Sequence, residues 1–276
     1  MVTYAPARAD SKRIPGVVPL HDEAAFGAMR KAGHIAASAL DMLVAHVEPG
    51  VPTEELDRLA FEFARDHGAI PATLLFRGYR HSICTSVNHV VCHGIPSPKP
   101  LRNGDIVNID ITLIVDGWHA DTSRMYPVGD VSRKATRLIE VVYEALERGI
   151  AAALPGNTTG DIGAAIQTYA ESQRTSVVRD FVGHGVGRLF HDEPNIMHFG
   201  TPGTGVALKP GMIFTVEPML NLGRPHVKIL SDNWTAVTRD RTLSAQAEHT
   251  VGITSDGSEV FTRSPAGLDN PLATRG

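Results

Sequence analysis

The sequence predicts an α/β protein made of two related halves with a binding site between them. Three observations carry this reading. Helical and strand-like patterns alternate along the 276 residues. An Asp-Gly hairpin signal, Asp116-Gly117, sits inside a long apolar strand region. A Pro-Gly-x-x-Thr segment occurs twice, at Pro49-Gly50 and at Pro155-Gly156. Each copy follows a long helical stretch and precedes strands that carry acidic residues.

Taken in order, residues 1–20 mix Arg8, Asp10, Lys12 and Arg13 with Pro6, Pro15 and Pro19. They have no apolar core, so they do not resemble a signal peptide, and a poorly ordered arm is expected. A single globular domain is expected over 21–263. Phe26, Met29, Ile35, Leu40 and Leu43 set a helical stripe over about 22–47, stopped by Pro49-Gly50. Thr53 is expected to cap a second helix that buries Leu56, Leu59, Ala60 and Phe63 and ends at Gly68. Strands follow at 83–92 and 105–127. Ser132 caps a third helix that stops before Pro155-Gly156, and a fourth spans 159–172. Short strands and turns fill 177–263, and 264–276 is expected to be a loose tail.

The two Pro-Gly-x-x-Thr segments align further, Leu56 with Ile162, Phe63 with Tyr169 and Ala64 with Ala170. This favours duplicated halves, whose cleft is a natural place for a site. The alternative is a common helix-joining turn used twice.

The chain is 42% apolar and 20% charged, ordinary for a soluble globular protein. Its net charge of −4 gives no reason to expect nucleic acid or an acidic membrane as a partner. Cys84 and Cys92 are too few for a disulfide framework, so a cytoplasmic setting is expected. No apolar run approaches the roughly 18 residues of a membrane span.

Five residues form a candidate set of metal ligands: Asp110, Asp121, His184, Glu217 and Glu248. Each lies in a short apolar, strand-like setting, where an unpaired charge costs several kcal/mol or takes up a proton. If Asp116-Gly117 turns a hairpin, Val115 pairs with Trp118 and Thr112 with Asp121. Asp110 then shares the face of Asp121. The alternative for either aspartate is a solvated strand face. His184 lies in Gly183-His184-Gly185-Val186-Gly187, where glycines allow close backbone approach. Glu217 ends an apolar run at Pro218, and Glu248 leads into Val251-Gly252-Ile253. Four carboxylates and an imidazole would repel one another unless divalent cations held them. A pair of such ions facing a cleft is the economical reading.

As an ordered set these motifs resemble the type I methionine aminopeptidases, of the pita-bread fold, over about 22–263. The resemblance rests on Val91-Cys92-His93-Gly94-Ile95-Pro96, Gly104-Asp105-Ile106-Val107-Asn108-Ile109-Asp110, Gly183-His184-Gly185-Val186-Gly187, Pro210-Gly211-Met212, Glu217-Pro218-Met219 and Glu248-His249-Thr250. It implies a central antiparallel sheet with outer helices and pseudo-twofold halves. It implies two divalent metal ions (Co, Mn, Fe or Zn), bridged by Asp121 and Glu248. Asp110 would complete one site, and His184 and Glu217 the other. The activity implied is hydrolytic removal of the initiator methionine when the second residue is small. His191 would face the scissile peptide, His93 would lie beside the substrate nitrogen, and Glu217 would shuttle a proton.

The resemblance also places Phe76, Tyr79, Cys84, Phe190 and Trp234 around the methionine side chain. Each of these could equally be core packing. The sequence departs from many bacterial members at Thr73 and Phe76, where cysteine and tyrosine are common. A monovalent cation would be held by backbone oxygens of Asn88, Val90 and Ser244. Nascent polypeptides at the ribosome are the implied substrates of a monomeric enzyme. Two rivals share the fold: an Xaa-Pro peptidase, usually with a large N-terminal domain, and a non-catalytic binding protein that has lost its ligands.

Overall fold

The computed structural model describes residues 2–7, 12–270 and 272. Its helices are α1 (Glu23–Leu43), α2 (Thr53–Asp66), α3 (Arg133–Ala152) and α4 (Thr159–Ser172). Asp22 caps α1 by accepting from Ala25 N, and Ser132 caps α3 by accepting from Ala135 N. Thr158 and Asp161 close a reciprocal capping box on α4.

Helices α1 and α2 pack on the strands of the first half, and α3 and α4 on those of the second. Ile106–Val115 and Trp118–Pro127 form a ten-residue hairpin, flanked by Cys84–Val87 and Ile70–Pro71. Its register is the one the Asp116-Gly117 turn predicts: Val115 opposite Trp118 and Thr112 opposite Asp121. Asp116 and Gly117 both take positive φ, 51° and 79°, as a tight two-residue turn requires. In the other half, strands 192–196, 183–185, 213–216, 249–253 and 258–260 form one antiparallel sheet in that order. An antiparallel bridge between Ser123 and Glu248 joins the two sheets at the centre. One apolar core lies under α1 and α2 and includes Leu40, Leu56, Ile109 and Ile111. A second lies under α3 and α4, around Leu138, Ile162, Phe214 and Val251.

The duplication is visible bond by bond. Gly50 N donates to Leu101 O at 2.8 Å and Gly156 N to Leu208 O at 3.0 Å. Leu101 N returns to Val51 O, as Leu208 N does to Asn157 O. Bridges Pro52–Pro100 and Thr158–Ala207 follow, and both glycines are left-handed, with φ of 95° and 92°. A shared turn alone would not reproduce these returns to distant strands.

Three expectations need correction. Thr53 is the first residue of α2, and Pro52 holds the cap position with no side-chain bond. The Thr53 hydroxyl instead accepts from Ser97 N at 2.9 Å, as the Thr159 hydroxyl accepts from Val206 N at 3.1 Å. Both threonines hold the chain returning to their helix, which competes successfully with capping.

The arm expected over 1–20 is structured where it is described. Thr3–Pro6 and Val17–Leu20 pair in parallel, whereas the other strand pairs are antiparallel. Tyr4 donates to Ala207 O at 2.7 Å, under the Lys209 ammonium 3.7 Å from its ring. The part of that arm at 1 and 8–11 lies outside the described residues. The tail expected from 264 is likewise fastened at its start. Ser264 Oγ and Ala266 N donate to the two oxygens of Asp41, and Ser264 N to Asp269. Residues 271 and 273–276 lie outside the described residues. Among those described, no helix is long and apolar enough to cross a membrane.

Candidate metal centre and substrate cleft

All five predicted ligands meet where the two halves join. Asp110 and Asp121 come from the two hairpin strands, and Glu248 from the bridge to Ser123. One carboxylate oxygen each of Asp110, Asp121 and Glu248 lies within 4.8 Å of the others. His184 Nε2 is 3.6 Å from Asp121 Oδ2 and 3.7 Å from Glu217 Oε1. These separations are too long for hydrogen bonds. They match two ligands that each stand about 2.1 Å from a common ion.

The imidazole is set up for this. His184 Nδ1 lies 3.1 Å from Gly185 O, so it carries the proton and leaves the Nε2 lone pair facing the carboxylates. Glycine at 185 is required, because a Cβ there would run into the Glu193 carbonyl.

The electrostatics point the same way. Burial lifts the carboxyls of Asp110, Glu217 and Glu248 well above the usual range, and repulsion among the acids adds to it. Burial raises Asp121 to about 7, although bonds from Thr112 and Thr122 oppose the rise. Burial lowers His184 to about 4. Among the described residues no lysine or arginine forms an ion pair with any of the four acids. A cluster so costly to ionise and without its own cations is built for divalent metal.

Thr112, which the hairpin register already set opposite Asp121, and three side chains that the sequence reading did not name aim the ligands. Thr112 Oγ1 donates to Asp121 at 2.7 Å. Thr215 Oγ1 accepts from His184 N and donates to Glu217 Oε1 at 2.8 Å. Gln246 Nε2 reaches the other Glu217 oxygen at 3.3 Å. His198 Nε2 accepts from Glu217 N at 3.1 Å. Thr215 sits two places before Glu217 on the same strand face, a signal that was available. The pairings of Gln246 and His198 depend on long-range packing and leave no local mark.

The acids form the floor of a cavity of about 800 Å³. All the residues expected around the substrate line it: Phe76, Tyr79, Cys84, His93, Phe190, His191 and Trp234. Cys84 stands directly opposite Asp110 in the sheet, so the pocket begins where the acids end. Tyr79 is held by its hydroxyl near Ile83 O and Gly94 O, and Trp234 meets it edge-on at 5.0 Å. Thr73, which also lines the cavity, turns its hydroxyl away to His81 O at 2.7 Å. It therefore offers its methyl-bearing face. Phe76 packs 5.0 Å from the His191 ring and 5.2 Å from Phe190.

The two histidines differ in setting. His191 lies 4.2 Å from the His184 ring, and burial drives it down to about 2. His93 is a non-glycine residue at φ 55°, a conformation kept where position matters. Burial lowers it as well. Both rings are uncharged at neutral pH. Asn88 and Ser244 also meet, since Ser244 N donates to Asn88 O at 2.8 Å. Val90 pairs with Val237 on the neighbouring strand.

A model of metallopeptidase family M24 matches residues 27–255. The methionine aminopeptidase of Rickettsia prowazekii is 57% identical over 256 residues, covering 92% of this chain and 98% of that protein. The chain belongs to the methionine aminopeptidases of metallopeptidase family M24. Methionine aminopeptidase A of Synechocystis is 52% identical over 85% of this chain and 93% of its own. The crystal structure of the Rickettsia prowazekii enzyme superposes with a TM-score of 0.88 at 56% identity, over 89% of this chain and 99% of that one. The pita-bread fold and the family expected from the motifs are thereby established.

Proposed function

We propose that this protein is a metal-dependent aminopeptidase that removes the N-terminal methionine from peptides and nascent proteins whose second residue is small. The observation that carries the reading is the meeting of four carboxylates, three buried and Asp110 partly so, and one oriented imidazole in an aromatic-lined cavity, flanked by two uncharged histidines. The names of the relatives agree with it.

In this reading Asp110, Asp121, His184, Glu217 and Glu248 would hold two divalent ions, and Asp121 and Glu248 are the acids that could serve both. When bound, such ions supply a Lewis acid and a water that ionises near neutral pH. An oxygen-rich site with one nitrogen accepts Mn, Fe, Co or Zn.

The chain's own groups do the rest. Phe76, Tyr79, Phe190 and Trp234 enclose the methionine side chain, and the Cys84 sulfur gives its thioether a soft, polarisable neighbour. His191, kept neutral by burial, donates a hydrogen bond to the scissile carbonyl oxygen without bringing a charge. His93 sits beside the substrate nitrogen. Glu217 moves the proton from the attacking water to the leaving amine, its two oxygens held by Thr215 and Gln246. A bulky second residue would crowd the acids, which gives the size rule. A monovalent cation on the backbone oxygens of Asn88, Val90 and Ser244 would tie two sheets together behind the pocket. The enzyme is expected to act as a cytoplasmic monomer on chains emerging from the ribosome.

Free methionine from Met-Ala-Ser and Met-Leu-Ser, measured with Mn²⁺ or Co²⁺, tests the proposal. Release from the first and little from the second is expected. Release confined to substrates with proline second, or none with any metal, would overturn it.

A further inference from the structure

The N-terminal segment sends one side chain into the cleft. Arg13 lines the cavity and holds Glu193 Oε1 through Nη2 at 2.8 Å. Glu193 is largely enclosed, its side chain 17% exposed, whereas the Arg13 side chain is 44% exposed. The ion pair therefore works as a tether. It fixes the guanidinium two residues along from His191, and a guanidinium has five N–H donors, enough for a further acceptor.

On the other flank, Arg77 also lines the cavity, its guanidinium 5.0 Å over the Phe76 ring, which itself packs 5.0 Å from His191. Two cations thus bracket the histidine that faces the scissile bond. The acid that also lines the cavity outside the ligand set is Asp180, next to Phe181, which packs on His93. The cleft mouth is polarised, positive at His191 and negative near His93. The four ligand acids are spoken for by the ions they are built to hold.

Resting on the function proposed above, we propose that Arg13 and Arg77 form a subsite for acidic side chains at the third and fourth positions of the substrate. The methionine pocket fills the aromatic end, so the chain beyond the scissile bond leaves past His191. Each extended residue advances about 3.3 Å, so the side chains that follow the second residue are the ones placed to meet Arg13 where it lines the cavity.

The test compares kcat/KM for amidated peptides that share Met-Ala and differ afterwards: Asp-Asp, Ser-Ser or Lys-Lys at positions three and four. Wild-type enzyme should prefer Asp-Asp over Ser-Ser by about two- to fivefold, the range of a partly exposed ion pair, and the preference should shrink with added salt. Moving the aspartates to positions seven and eight should abolish it. Arg13→Ala should lower the Asp-Asp to Ser-Ser ratio, Arg13→Lys should keep part of it, and Arg13→Glu should turn it towards Lys-Lys. Equal rates for the wild type on all three peptides would overturn the subsite. So would a preference indifferent to aspartate position, or a ratio that Arg13→Ala and Arg77→Ala leave unchanged. Failure to release methionine from any of these peptides would instead sink the underlying aminopeptidase reading.

Discussion

Asp121 shows how a residue suited to metal is unsuited to an empty pocket. Its folded-state value near 7 stands well above the ordinary aspartate range, chiefly through burial. The native state therefore holds this proton to higher pH than the unfolded chain does. Between about pH 4 and 7 the native form binds more protons, so this group makes metal-free stability fall as pH rises through that window. Asn at 121 has no such proton to lose. Metal-free Asp121→Asn is thus expected to melt above metal-free wild type at pH 8, by an amount on the order of a few kcal/mol. The gap should close towards pH 4, and Mn²⁺ should reverse the order by stabilising only the wild type. Calorimetry on chelator-treated protein checks this; a variant that melts below the wild type at pH 8 without metal contradicts it.

At the scale of elements, strand Ile213–Val216 carries the support Thr215 and leads directly into the ligand Glu217. Thr215 bonds the His184 amide and the Glu217 carboxylate together, so it sets the distance between two ligands from different strands. Thr215→Val keeps the shape and removes both bonds. It should weaken divalent-ion affinity by about 10–100-fold, as loss of a ligand's supporting bond does, with little change in secondary structure. Titration calorimetry with Mn²⁺ reads this out, and unchanged affinity would mean that Thr215 only packs.

Elements also show what the sequence made legible. The Asp110–Asp121 geometry was readable because a two-residue Asp-Gly turn fixes register, and register fixes which face each side chain takes. The start of α3 was readable from its Ser132 cap, and Pro155-Gly156 marked the stop after it; the first helix ends at Leu43, short of the expected 47. The strand Thr3–Pro6 was not readable, because Tyr4 fastens it to Ala207 and Lys209, some two hundred residues away. Thr53 misled because a threonine after proline can cap a helix or hold a returning strand, and local sequence does not separate the two.

Over the whole molecule, the two halves repeat one plan, and the site belongs to neither alone. Asp110 and Asp121 stand in the first half, His184, Glu217 and Glu248 in the second, so the central junction must stay rigid. A buried ion pair sits beside it: Arg124, one residue from the Ser123–Glu248 bridge, holds Asp41 of α1 at 2.8 Å. Ser264 and Ala266 bind the same carboxylate, so this pair ties hairpin, helix and C-terminal segment together. Arg124→Leu leaves Asp41 without its cation and should cost about 3–5 kcal/mol. Urea denaturation measures it. The double variant R124L/D41N should recover part of the loss, and a wild-type midpoint for R124L alone would contradict the tie.

Anomalous diffraction from crystals grown with Mn²⁺ bears most directly on the account. Two peaks are predicted, enclosed by Asp110, Asp121, His184, Glu217 and Glu248, with the second and last of these acids touching both. A cavity without anomalous density at saturating Mn²⁺, its acids turned away from one another, would contradict it.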